Sequence, residues 1–106
     1  MEISDESKDI IENKIINKRD EIFDQCKAIK KDKLLSRDEA EKKITEILGN
    51  LKKDFSWLEL ERKEITQLKK EDLIYSDLEF TPRAHRLILA MIDKKIYPLI
   101  KKITSA

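Results

Sequence analysis

Leu35-Ser36-Arg37-Asp38-Glu39-Ala40 reads as the opening of a helix. Ser36 can accept from the backbone N–H of Glu39, Glu39 can reach back to Ser36, and Leu35 can close hydrophobically on Ala40. The same grammar returns at Phe55-Ser56-Trp57-Leu58-Glu59-Leu60, with Ser56 and Glu59 as the box and Phe55 and Leu60 as the staple. Two such starts predict two helices, over 37–53 and 57–72. Ile44, Ile47, Leu48 and Leu51 supply the buried side of the first. Gly49-Asn50 reads either as its early end or as a weak point inside it. Leu58, Ile65 and Leu68 carry the stripe of the other, and Glu61 stands where an apolar residue is expected.

Working upstream, Ser4 followed by Asp5 and Glu6 is a cap with acids at the positive end of a helix dipole. Ile11, Ile15, Ile22, Cys26 and Ile29 then recur at helical spacing, which predicts one long helix over 5–31. Arg19 interrupts that stripe, while Ile16 and Phe23 widen it to one side. Downstream, Leu73, Ile74, Tyr75, Leu78 and Phe80 suggest a connector folded against the core, where Ser76 and Glu79 repeat the box spacing. Thr81 as cap and Pro82 as first residue open a last helix over 82–104. Ile88, Leu89, Ile92, Ile96, Leu99, Ile100 and Ile103 form its broad apolar arc. Pro98 should kink it near Lys94, whose carbonyl loses its donor.

Gly49, Pro82 and Pro98 are all the glycine and proline among 106 residues, and 42% of the chain is Asp, Glu, Lys or Arg. This composition favours helices over strands and tight turns. The expected fold is all-α, a single antiparallel four-helix bundle with a long first helix and a proline-kinked, apolar last helix. One domain covers 1–106, with an ordered core from about 5 to 103. The longest apolar run, Leu87 to Ile92, is far short of the roughly 20 residues of a membrane span. One cysteine and a charged start without a signal-like apolar run predict a reducing, cytoplasmic setting.

Helix bundles become metalloenzymes through inward glutamates and paired Glu-x-x-His motifs. Here the single histidine, His85, follows Pro82 at that spacing. One Cys and one His cannot complete a closed zinc site, and one glycine cannot build a phosphate loop. No metal or cofactor is therefore expected. A Cys26–His85 nucleophile pair is disfavoured, because Cys26 lies on the apolar stripe. His85 reads as packing against Phe80, and Glu61 as a rim carboxylate rather than a catalytic acid. A helix-turn-helix around Gly49 fails on Asn50 in the turn and on Glu59, Glu61 and Glu64 in the would-be recognition helix. The chain is read as no enzyme.

Charge is distributed unevenly. Residues 56–81 carry seven acids and four bases, net −3, whereas residues 82–106 carry six bases and one acid, net +5. On a wheel of about 100° per residue, Arg83, Arg86, Lys94 and Lys101 fall within roughly 80° of one another. This basic ridge either neutralises acids of the third helix, forms a solvated face, or binds a partner. Leu87 and Met91 lie between it and the core arc, an apolar surplus that suits an interface. The reading is a non-catalytic protein-binding module, in which Arg83, Arg86, Lys94 and Lys101 steer an acidic protein or a second copy while Leu87 and Met91 supply contact. The alternative is binding of nucleic acid or an anionic membrane surface through the same ridge. In size and expected architecture the chain is similar to the bacteriocin immunity proteins, a likeness of fold shared with phage inhibitors, antitoxins and secretion chaperones.

Overall fold

Side chains that repeat every three or four residues need a surface to bury against, and here that surface is one helix. The computed structural model describes residues 4–74 and 79–105, which form an all-α protein. Helix α1 spans Asp5–Lys31, α2 Arg37–Lys53, α3 Arg62–Lys70, α4 Pro82–Lys95 and α5 Tyr97–Ser105, with a 3-10 turn at Ser56–Leu58. The last two are the expected final helix, bent at Ile96. Every other helix and the 3-10 turn pack on α1, whose buried stripe is Ile11, Ile15, Ile22 and Cys26.

Three caps stand where the residue types place them. The hydroxyls of Ser4, Ser36 and Thr81 accept from the backbone N–H of Ser7, Glu39 and Ala84, at 3.3, 3.2 and 3.1 Å. Pro82 takes the first position of α4. The proline kink falls at Ile96, two residues beyond Lys94. There the core-side bonds Ile96 N–H to Ile92 O and Ile100 N–H to Ile96 O persist at 2.9 and 3.1 Å. Ile96 thus stays buried at the bend, and Pro98 faces out.

The box at Ser56 behaves differently. It opens only the 3-10 turn, and α3 begins at Arg62 instead of 57. Neighbouring groups have already committed the local backbone: Asp54 Oδ1 accepts from Ser56 N–H at 2.9 Å, and the Trp57 indole donates to Leu51 O at 2.9 Å, sealing a carbonyl at the end of α2. Glu59 then turns left-handed at φ 49°, which stops a helix from propagating. Helix α3 ends in a Schellman motif, with Asp72 at φ 59° and bonds from Leu73 N–H to Leu68 O and from Asp72 N–H to Lys69 O, at 3.0 and 3.1 Å. The chain then returns through the buried Leu73 and Ile74, which bridges to Phe80. Tyr75, Ser76 and Leu78 lie outside the described residues, and with them the third box spacing.

Side-chain pairs give the directions. Glu71 meets Ser4 and Ser7, Gln67 meets Glu6, and Glu64 meets Lys14, so α3 runs opposite to α1. Lys95 pairs with Glu12 at 3.0 Å, while Leu99 and Lys102 share a groove with Arg19 and Phe23. The bent last helix therefore runs with α1. Helices α2 and α3 lie end to end along α1, and the four helices form three columns, up, down and up, in a rod of 49 × 21 × 21 Å. This departs from four helices side by side. The pinned junction at 54–59 supplies no reversal between α2 and α3.

One end of the rod is closed by polar bonds. The Glu71 carboxylate accepts from the Ser4 hydroxyl, 2.6 Å from either oxygen, from Ser4 N–H at 3.2 Å, and from the fully buried Ser7 hydroxyl. It sits at the N-terminus of α1, where a negative charge is favoured. The Ser4 hydroxyl first, and Ser7 after it, hold this carboxyl below the usual glutamate range.

Two expectations follow. The contribution of Glu71 is complete above the unfolded value of about 4.3 and is lost as pH falls through the lower folded value. Urea unfolding between pH 7 and pH 3 should show wild type more stable than Glu71→Gln at neutral pH, with the gap closing in acid. Gly49 lies inside α2, with open space where a Cβ would stand, so Gly49→Ala should add about 0.5–1 kcal/mol, read as a higher urea midpoint with an unchanged slope.

Candidate partner-binding face of the last helix

Thr81 and Pro82 start α4 and thereby fix which side chains face out. Ala84, Ile88 and Ile92 are buried, while Arg83, Arg86 and Lys94 are exposed on the opposite side. Leu87, Met91 and Lys95 follow one another at i+4 spacing along the flank. The ion pair of Lys95 with Glu12 places that flank beside α1. Leu87 and Met91 are both half-buried, and Met91 packs against the core. The core thus takes up part of the apolar surplus expected for an interface, through Met91, and both side chains keep an edge in solvent. Lys101 lies beyond the bend, in a groove between α2 and α5 with Glu41, Leu48 and Tyr97. The structure therefore gathers Arg83, Arg86, Leu87, Met91 and Lys94 on one helix and sets Lys101 on the next.

Neutralisation by the third helix is not how the ridge is held. Three acids of that segment have partners elsewhere: Glu64 pairs with Lys14 at 3.8 Å, Glu61 with Lys63 at 3.6 Å, and Glu71 bonds the serines. The one acid of the last helix, Asp93, bonds Lys52 of α2. Among the described residues Arg83, Arg86, Lys94 and Lys101 make no ion pair. Tyr97, 47% exposed, lines the groove of Lys101, with the Lys52 ammonium 5.9 Å from its ring centre.

The other singled-out residues have structural partners. His85 packs on Phe55 with ring centres 4.6 Å apart and planes tilted by 41°, and Phe55 meets Phe80 edge-on at 5.4 Å, so the expected Phe80 contact is relayed through Phe55. Cys26 is buried, and burial pushes its thiol pKa up, away from the thiolate a nucleophile needs. Glu61 is an exposed residue preceding α3. Arg19 remains half-buried, 3.5 Å from Asp20, with its stem beside Phe23 and Leu99.

Among the described residues no three His, Cys, Asp or Glu side chains converge, and no helix is long and apolar enough to cross a membrane. One residue outside the sequence reading stands out. Leu34, in the turn between α1 and α2, is 92% exposed. Its signal in the sequence is an apolar side chain inside a lysine run with no apolar partner at helical spacing. No protein-family model matches the sequence, and no curated protein or solved structure matches it.

Proposed function

We propose that this chain is a non-catalytic helical adaptor, of the inhibitor, immunity, antitoxin or chaperone kind, that docks an acidic protein partner on α4. The observation that carries the reading is the set of exposed cations Arg83, Arg86 and Lys94, without an ion pair among the described residues. They border the half-exposed edges of Leu87 and Met91. Charges left uncompensated beside an apolar strip suit encounter with a surface of opposite sign, the strip then holding what the charges attract. Lys101 extends the cationic border onto α5. A single buried cysteine suits action in a reducing, cytoplasmic setting.

Exposed Tyr97 beside Lys52 favours a second reading, a nucleic-acid contact along the same ridge. Salt and the apolar strip separate the two. For a captured acidic protein, Leu87→Ser with Met91→Ser should weaken binding about tenfold or more, with helicity by circular dichroism unchanged. Arg83→Gln with Arg86→Gln should mainly slow association and flatten its salt dependence. Loss of folding in the serine variant would make both residues core. Binding to an oligonucleotide that falls steeply with salt and survives the serine changes would assign the ridge to nucleic acid.

A further inference from the structure

The turn joining α1 to α2 is ordered, convex and cationic. Asp32 Oδ1 accepts from Leu34 N–H at 2.9 Å, and Leu35 N–H donates to Asp32 O at 3.3 Å. The backbone is thereby fixed with Leu35 half-buried and Leu34 held out at 92% exposure. One outward leucine is ordinary on a protein surface. This one stands in a segment, 27–37, with five bases and one acid, net +4, in a chain whose whole charge is +1. Lys30, Lys31 and Lys33 make no ion pair among the described residues. Because the last helix runs with α1, the part of α5 that carries Lys101 and Lys102 lies in the same half of the rod, level with Arg19, Phe23 and Glu41.

The nearby acids offset little of this. Asp32 is engaged by the turn, Glu41 pairs with Arg37 at 3.4 Å, and Asp38 and Glu39 sit in the first turn of α2, facing its positive dipole end. We infer that this tip is a membrane-surface contact, in which Leu34 enters the interface of an anionic bilayer while Lys30, Lys31 and Lys33 meet its headgroups. A protein interface needs roughly 800 Å² per partner with a shaped apolar centre, which a single leucine on a convex turn does not offer. A fluid bilayer needs no complementary shape, and a cationic rim around an apolar point is what it attracts. Nucleic acid is less suited, because the tip has no aromatic side chain for a base to stack on.

The test is co-sedimentation of the full chain with vesicles of phosphatidylcholine alone and of equal parts phosphatidylcholine and phosphatidylserine. Binding should require phosphatidylserine and weaken as salt rises. Leu34→Ser, on an exposed turn where the fold tolerates it, should lower the partition coefficient about tenfold. Lys31→Gln and Lys33→Gln should each cost about fivefold, and Lys70→Gln, at the far end of the rod, nothing. Circular dichroism of each variant confirms that it is folded. No sedimentation with the anionic vesicles, or undiminished binding by folded Leu34→Ser, would overturn the inference. So would equal loss on Arg83→Gln with Arg86→Gln, which would transfer the membrane contact to α4, or equally tight, Leu34-independent capture of a single-stranded oligonucleotide.

Discussion

The burial of one isoleucine seam governs this molecule. Ile11, Ile15, Ile22 and Cys26 line a single side of α1, and α2, α3, α4, α5 and the 3-10 turn all lie against that helix. In a rod only 21 Å across, there is no second layer behind the seam. The packing cost of removing one buried isoleucine, about 2–5 kcal/mol, is therefore a large share of the roughly 5–15 kcal/mol a domain of this size has. Polar bonds close one end of the rod. The Glu71 clasp joins the start of α1 to the end of α3, where fraying would otherwise begin.

Charge is used in two ways in the same chain. Pairs such as Glu12 with Lys95 and Lys14 with Glu64 bridge α1 to its neighbours. Such partly exposed contacts add little stability, but they discourage a wrong register by leaving like charges opposed. Arg83, Arg86 and Lys94 of α4, and Lys30, Lys31 and Lys33 of the tip, form no such bridge among the described residues. Glu64 and Glu71 are turned toward α1 and Glu61 toward Lys63 of its own segment, while Arg83, Arg86 and Lys94 stay exposed to solvent. The distribution within the rod, rather than the nearly balanced total, is what a charged partner would meet.

Local chemistry made much of this legible. Ser4, Ser36, Thr81 and Pro82 mark helix starts because a cap is satisfied by the next three residues alone. The isoleucine spacing of α1 likewise needs no distant information. Ser56 carried the same signature and misled, since Trp57 bonds backward to Leu51 and Asp54 captures Ser56 N–H, commitments that depend on the path of the chain. The three-column arrangement was equally out of reach: whether α3 doubles back or continues along α1 is decided by Glu59 turning left-handed, a conformation no glycine announced. Of the candidate site, the exposed ridge was legible from helical periodicity. The partial burial of Leu87 and Met91 was not, and neither was Leu34, whose significance comes from the end of the rod on which it falls.

Trp57, the only tryptophan of the chain, sits where the descending column changes from α2 to the 3-10 turn, half-buried and sharing a groove with Lys14 and Lys18 of α1. Its indole is thus a built-in fluorescent gauge of one joint. Emission reports whether the broken middle arm is seated on its axle, while ellipticity reports helix content wherever it occurs. A loosened hinge between two intact helices would be visible to the first and silent to the second.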